Sequence, residues 1–482
     1  MKSSRYNIFV PLREGRLLAY NGFSGALSVW NQHEQEKYRD LAEGANVDLA
    51  DPVLCNLAYG GYLVQDEIDE VSLLEEYYTA HRFNPRTMIL TLAPTLSCNF
   101  GCDYCFQGQD KPSATMSPDV QDAIVDFVNR SRFGIDRLHV AWYGGEPLLQ
   151  PKVIESLSDR LIEICDRRRI QYDATIVTNG YRLDREMAQS LSQRRVRTVQ
   201  VTLDGDAKDH DLRRLLRTGK PTFERITANL KENVDRVPLV FSIRVNIDRR
   251  NHLEIRQLID RLADMGLNHR KNLQMYFAPV EAMTEGCHNV AGDCMTKRQY
   301  GSLEADLYRY GFEKGLAPLP YPPRFHGVCG AVRPNAFVIT PTGDIHKCWD
   351  TVTFPEHKVG TIFDMKETSA NEKTQAWLDW SPFVNETCRN CKLLPNCSGA
   401  CAYKFVHSQN TVGEAAILPC PSWKYNIKER LLLRALKMGA ITEADYDPQV
   451  VQTDPSELCA DVYLPGKALP DKIAATYTLS AR

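Results

Sequence analysis

Cys98, Cys102 and Cys105 stand at C-x3-C-x2-C spacing in the run Thr95-Leu96-Ser97-Cys98-Asn99-Phe100-Gly101-Cys102-Asp103-Tyr104-Cys105-Phe106. Thiolates are soft ligands that suit iron–sulfur clusters or zinc. Three on one tight loop can hold three corners of a [4Fe–4S] cluster and leave the fourth iron open. A closed zinc site needs a fourth nearby ligand, and this loop offers none. An odd number of thiols cannot all pair as disulfides. Tyr104 and Phe106 flank the last cysteine and could shield a cluster. A second set lies far downstream: Cys329 and Cys348, then Cys388-x2-Cys391-x5-Cys397-x3-Cys401, then Cys420. Alone, that clustered group of four would favour zinc.

These loops need elements to hold them. Met88-Ile89-Leu90-Thr91-Leu92-Ala93 reads as a buried strand, so the first loop leaves a strand end, where (β/α) proteins place their chemistry. Residues 86–285 alternate strand and helix. Strands are expected over 88–94, 138–143, 173–177, 198–203, 239–247 and 273–279, and helices over 119–129, 153–167, 185–192 and 223–234. Such alternation implies an α/β fold with a parallel sheet and right-handed crossovers. Six units predict an incomplete barrel. The strand ends carry polar signals: Gly144-Gly145-Glu146-Pro147, Thr178-Asn179-Gly180 and Thr202-Leu203-Asp204-Gly205. Glycines let a ligand approach the backbone, and the Glu146 carboxylate can accept from an ammonium group. Arg213, Arg214 and Arg217 follow, and by spacing alone they read as a solvated basic helix face. Arg244 and Asn246 are two apart on the fifth strand and share one face. They either point into the barrel or pair as ordinary polar residues.

Upstream, residues 6–12 and 16–20 flank Glu14-Gly15, a hairpin signal, and 27–30 could be a third strand. Helical spacing follows at 32–42 and 69–78. The chain has 482 residues, 43% of them hydrophobic, and a net charge of -3. That charge gives no case for a nucleic-acid partner. No run approaches the roughly 18 apolar residues of a membrane helix, and the start lacks a signal-peptide core. Fifteen cysteines in a large chain without an export signal suggest metal or redox sites in a reducing compartment, so a cytoplasmic location is expected.

The first cysteine loop resembles the signature of the radical S-adenosylmethionine (SAM) enzymes. The later array, C-x13-G-x4-C, C-x2-C-x5-C-x3-C, then C, resembles the seven-cysteine SPASM domain that extends such enzymes. The likeness covers residues 88–280 and 329–423. It implies a partial (β/α)6 barrel, SAM, and three [4Fe–4S] clusters, one SAM-binding and two auxiliary. By resemblance Cys98, Cys102 and Cys105 hold the first cluster. Cys388, Cys391, Cys397 and Cys420 hold one auxiliary cluster, and Cys329, Cys348 and Cys401 hold part of the other. The same resemblance gives Gly144, Gly145, Glu146 and Pro147 to the SAM amino group, Thr202 to the ribose and Arg214 to the carboxylate. Guanidinium–carboxylate pairing is the physical reason for the last. It leaves the solvated reading to Arg213 and Arg217.

The expected organisation is an N-terminal unit (1–85), a radical SAM core (86–285), a linker (286–328), a SPASM domain (329–423) and a C-terminal helix and tail (424–482). The N-terminal strands and helices resemble the winged-helix-like elements that bind leader peptides as an added strand. The plain alternative is a structural cap. Together these features imply a maturase of a ribosomally synthesised precursor peptide. An external flavodoxin- or ferredoxin-type electron donor and a small accessory protein are the further partners implied. Ala93-Pro94-Thr95 and Gln107-Gly108-Gln109 look like the splicease branch, which excises a tyramine unit. One alternative is the sulfatase-maturing branch, which forms formylglycine and has a carboxylate directly after the Cys348 position. Here Trp349 stands there, and Asp350, one further, is the candidate catalytic residue. A non-enzymatic zinc-binding peptide module is the other alternative. Some SPASM enzymes carry an eighth cysteine where this chain has Pro323, so one iron is expected to lack a thiolate unless Cys287 or Cys294 supplies it. The unassigned cysteines, Cys55, Cys165, Cys287, Cys294 and Cys459, are expected to be mostly buried thiols.

Overall fold

Apolar residues two apart in the first thirty positions build three strands, β1 (Asn7–Pro11), β2 (Leu17–Asn21) and β3 (Leu27–Trp30). They form an antiparallel sheet in chain order. The computed structural model describes residues 1–45, 50–131, 134–319, 322 and 327–466. One face of this sheet carries Ile8, Val10, Leu18 and Tyr20. The other buries Ala19 and Trp30 against Leu41, Leu54 and Leu57 of two helices, α1 (Gln32–Ala42) and α2 (Pro52–Tyr59). Asn31 starts α1 with a capping box: its side chain accepts the Glu34 N–H, and Glu34 reaches back to the Asn31 N–H. A third helix, α3 (Glu70–Arg82), ends this part of the chain.

Six parallel strands follow: β4 (Thr87–Leu92), β5 (Arg137–Trp142), β6 (Gln171–Thr178), β7 (Val196–Thr202), β8 (Val240–Ile247) and β9 (Leu273–Pro279). They lie side by side in chain order, as an incomplete barrel requires. Helices alternate with them: α4 (Pro118–Arg130), α5 (Pro151–Arg168), α6 (Arg185–Gln193), α7 (Ala207–Arg213), α8 (Phe223–Asn233) and α9 (Ile255–Asp264). Strands covered on both faces read as near-continuous apolar runs. Leu90, Leu92, Val140, Trp142, Ile176 and Val199 are accordingly buried in one core with Ile124, Leu157 and Leu230 of the helices. Each such side chain contributes about 1.5–3 kcal/mol on burial. Register puts Thr202, Arg244 and Tyr276 in one row across β7, β8 and β9.

The segment 286–328, expected as a linker, contains a further helix, α10 (Lys297–Glu313). Its Tyr300, Leu307 and Tyr308 join the barrel core. Pro323 lies outside the described residues.

The cysteine-rich region does not stand apart from the barrel. Its hairpin strands, β10 (Ala336–Ile339) and β11 (Asp344–His346), and the short β12 (Gly360–Thr361) extend the same sheet. β10 runs parallel to β4, with Phe337 opposite Leu90 and Ile339 opposite Leu92. The strand that delivers the first cysteine loop therefore carries the hairpin between Cys329 and Cys348 on its other edge. A short helix, α11 (Ala402–Val406), follows Cys401, and α12 (Ile427–Lys437) is the closing helix expected from 424 onward. Ile427, Leu431 and Leu432 of α12 pack on the Ile8–Val10–Leu18–Tyr20 face of the N-terminal sheet. The tail from 467 lies outside the described residues.

Candidate active site and cysteine clusters

The loop after β4 is braced from several sides. Arg217 donates to Cys98 O (3.0 Å) and Gln109 O (2.6 Å), and Gln109 donates to Cys102 O (2.6 Å). The Gly101 N–H reaches Leu215 O. Gly144 and Gly145, at the end of β5, lie directly beneath. A Cβ on Gly145 would sit 2.5 Å from the Ser97 carbonyl carbon and closer still to the Leu96 and Ser97 oxygens. Gly144 has φ of +130° and faces Thr95 O in the same way. Only glycine allows this approach. Two bonds seal it: Gly145 N–H to Thr95 O (3.1 Å) and Glu146 N–H to Ser97 O (2.8 Å).

One cavity of about 370 Å³ opens at the strand ends. Cys98, Cys102, Cys105, Tyr104, Phe106, Gly144, Gly145, Thr202, Arg214 and Asp350 all line it. Burial pushes the Cys102 thiol up to about 11, against the pull of the Arg214 guanidinium. Arg214 donates to the Tyr104 hydroxyl (2.6 Å), which donates in turn to Asp204. Its Nε is buried without a hydrogen-bond partner. Glu146 and Pro147 do not line this cavity. The Glu146 carboxylate is spent on the Leu148 N–H (2.9 Å), the Thr178 hydroxyl (2.7 Å) and the Asn179 N–H (2.7 Å), so it ties the end of β5 to the end of β6.

Asp350 reaches the cavity through the single turn Trp349–Thr351. Burial raises its carboxyl to about 6, although the Cys348 thiol donates to it (3.5 Å) and Arg244 lies near. Trp349 stands at the cavity edge, partly exposed, and stacks on Tyr143 (4.9 Å, 20°), which stacks on Phe106 (6.3 Å, 21°). Arg244 does face the cavity, bonded to Asn246 (2.7 Å).

The downstream thiols lie in two places, grouped as the family resemblance implies and not as their spacing alone would group them. Cys329, Cys348 and Cys401 interact with one another and with Asp350, and burial followed by Asp350 pushes Cys401 up to about 12. Cys388, Cys391, Cys397 and Cys420 line a second, small apolar cavity. Among the described residues, no three His, Cys, Asp or Glu side chains close on one point as the ligands of a single ion do. A four-iron cubane takes its thiolates at separate corners. The donor set fits the implied groups: free thiols on one wall, an unpartnered guanidinium N–H on another, and a glycine floor.

Several readings need correction. Arg213 is not solvated: it is buried, bidentate on Asp248 (2.8 and 3.3 Å), and stacked over Tyr104. Arg217 is exposed as expected, and it also braces the cysteine loop. Among the unassigned cysteines, Cys165, Cys287 and Cys294 are buried, but Cys55 is exposed and Cys459 lines the second cysteine cavity. Cys287 and Cys294 donate to carbonyls of their own segment. Nothing in the sequence marks a buried triad behind the cavity wall, in which Glu281, itself lining the cavity, takes Lys297 and, at 2.9 Å, Lys404. Its members come from three separate segments, and no local motif marks them.

Residues 92–262 match the family model of the radical SAM superfamily. The chain thus carries a radical SAM catalytic domain over that stretch. Its cysteine-rich C-terminal region is consistent with a SPASM domain. Among curated relatives, a serine-type anaerobic sulfatase-maturating enzyme of Bacteroides thetaiotaomicron is 22% identical over 346 residues, 63% of this chain and 80% of that one. A cysteine-type anaerobic sulfatase-maturating enzyme of Clostridium perfringens is 23% identical over 358 residues, 66% of this chain and 89% of that one. The solved structure of native anSMEcpe with bound AdoMet covers 73% of this chain and 100% of its own, with a TM-score of 0.55 and 18% identity. That likeness is one of fold. No helix among the described residues is long and apolar enough to cross a membrane.

Proposed function

We propose that this enzyme oxidises a side chain in a peptide or protein substrate, with Asp350 as the proton acceptor. The observation that carries it is the shared cavity: the cysteine loop, Arg214 and Asp350 open onto one space. When bound at Cys98, Cys102 and Cys105, cluster and SAM supply a 5′-deoxyadenosyl radical that removes hydrogen from carbon. The chain's own residues do the rest. Arg214 and Thr202 orient SAM, Gly144 and Gly145 let it lie on the backbone, and Phe106, Tyr143 and Trp349 keep water from the radical. A carboxylate raised toward neutrality is suited to take the substrate's proton. Cys329, Cys348 and Cys401, beside Asp350, are the proposed ligands of the auxiliary cluster that would accept the electron, and Cys388, Cys391, Cys397 and Cys420 those of the second.

Two curated relatives, matched over 346 and 358 residues, are sulfatase-maturating enzymes, which supports formylglycine-type oxidation over tyramine excision. The flanks that resembled the splicease branch have loop-holding work here: Thr95 donates to Ala114 O, Gln107 to Gly144 O and Gln109 to Cys102 O. Trp349 between Cys348 and Asp350 is less of an obstacle than its position suggests, because the turn still brings Asp350 beside Cys348.

Anaerobic assays with SAM, a strong reductant and short peptides carrying serine or cysteine in a sulfatase-type motif test the reading. The expected product is an aldehyde, read by mass spectrometry and hydrazine capture, with 5′-deoxyadenosine formed alongside. A precursor peptide that loses a tyramine mass while the sulfatase peptides stay unmodified would establish the excision chemistry instead.

A further inference from the structure

The second cysteine cavity holds one thiol more than a cluster needs. A [4Fe–4S] cluster takes four protein thiolates. Five cysteines line this cavity: Cys388, Cys391, Cys397, Cys420 and, from far along the chain, Cys459. Cys459 and Cys391 line the same cavity, and the backbone beside them is joined by the Lys392 N–H to Leu458 O bond.

The segment that carries Cys459 is fastened to the site from both sides. On one side, the Lys392 N–H, adjacent to Cys391, donates to Leu458 O (3.1 Å). Leu458 is buried with Leu393 and Leu431. On the other, the Lys424 ammonium donates to Ala460 O (2.9 Å) and Asp461 (2.7 Å) and touches the Cys420 sulfur (3.9 Å). Tyr425 also donates to Asp461 (2.7 Å). Residues 458–461 are thus bonded to the neighbours of two motif cysteines, and Cys459 stands in the middle of that stretch. Packing alone would be served by any small apolar residue here.

We propose that Cys459 is a fifth thiol of this auxiliary site, exchangeable with Cys391 as the ligand to one iron. The exchange is neutral in charge and electrons. One iron–sulfur bond to Cys391 breaks, one to Cys459 forms, and the proton leaving Cys459 passes to the Cys391 thiolate. The Lys392 N–H to Leu458 O bond holds the chain beside Cys459 against the chain beside Cys391. The consequence is a cluster that keeps four thiolates when one of these two is lost or modified. The proposal rests on the reading of Cys388, Cys391, Cys397 and Cys420 as cluster ligands.

The test uses the full-length chain reconstituted anaerobically with iron and sulfide, with iron per chain and Mössbauer spectra as readouts. Cys391→Ala and Cys459→Ala should each keep the wild-type iron content. The double variant, left with three thiolates as at the Cys98 loop, should show one iron with altered Mössbauer parameters, whereas each single variant keeps the wild-type spectrum. Cys397→Ala, which has no substitute, should show an altered iron by itself. An altered spectrum in Cys391→Ala alone, or a wild-type spectrum in the double variant, overturns the exchange. A wild-type spectrum in Cys397→Ala overturns the cluster assignment and the proposal with it. If the double variant does not fold, the wild-type protein decides. Alkylation of the loaded enzyme, besides labelling the exposed Cys55, should place one label per chain divided between Cys391 and Cys459, and a label at this site confined to Cys459 refutes the proposal.

Discussion

Gly145→Ala adds one methyl group at the point where β5 meets the cysteine loop. The new Cβ would start 2.5 Å from the Ser97 carbonyl carbon, whereas real Cβ atoms essentially never come under 3.0 Å. The neighbours are backbone, so no flexible side chain can turn away. The loop must therefore lift by at least about half an ångström, and further at the two carbonyl oxygens. The lift stretches both seals, Gly145 N–H to Thr95 O and Glu146 N–H to Ser97 O. Overpacking of this kind costs about 1–3 kcal/mol, which a domain of about 5–15 kcal/mol survives. The reaction is less tolerant. A misplacement of about 1 Å at a reacting centre costs on the order of 100-fold in rate, so a loss of about 10- to 100-fold in SAM cleavage is expected. The assay is anaerobic 5′-deoxyadenosine production by reconstituted protein, with iron content and thermal midpoint measured on the same sample. A variant with wild-type iron and a cleavage rate within about twofold of wild type would show that the close approach is not what positions the loop.

Four further outcomes are expected. Asp350→Asn should lower peptide oxidation by about 10²–10⁴-fold while 5′-deoxyadenosine still forms, and equal losses of both would deny it the role of proton acceptor. Glu281→Gln leaves the buried Lys297 and Lys404 ammonium groups without their counter-ion, so the thermal midpoint should fall by the equivalent of about 3–5 kcal/mol, and an unchanged midpoint refutes the triad's importance. His210 is held neutral by burial and by Arg214 and Arg213, and its Nδ1 accepts the Asp204 N–H. Its folded pKa lies well below the ordinary 6.5, so the unfolded chain takes up a proton first as pH falls through that value, and stability declines from there downward by up to about 1.4 kcal/mol per pH unit. Denaturant midpoints at pH 7.5 and 5.5 should differ less in His210→Gln, and identical differences would assign the pH dependence elsewhere. Deleting residues 1–85 bares the α12 face of Ile427, Leu431 and Leu432, beside Cys391, and each exposed side chain forfeits about 1.5–3 kcal/mol. The truncated chain should aggregate or lose auxiliary iron, and a monodisperse product with full iron would mean the N-terminal sheet is detachable.

Sequence alone was enough for whatever depends on near neighbours. Strand and helix periods are local, so the six β/α units were legible. Cysteine spacing is local too, but alone it groups Cys401 with Cys388, Cys391 and Cys397, and only the family resemblance assigns Cys401 with Cys329 and Cys348. Glycine at 144 and 145 was readable as a close approach, although what approaches, the carbonyls of residues 95–97, was not. Sequence misjudged Arg213, because a helical run of arginines looks the same whether its partners are water or an aspartate 35 residues away. It also left Cys459 with no motif, since that residue gains meaning only from the hydrogen bonds that seat 458–461 beside Cys391 and Cys420. Tertiary structure decided one thing above the rest. Parallel pairing of β10 with β4 is a contact between strands some 240 residues apart. No local rule fixes such a pairing, because its free energy comes from ladder bonds and buried side chains that exist only once both segments have folded. That pairing is what carries Cys348 and Asp350 to the mouth of the barrel, facing the loop of Cys98, Cys102 and Cys105.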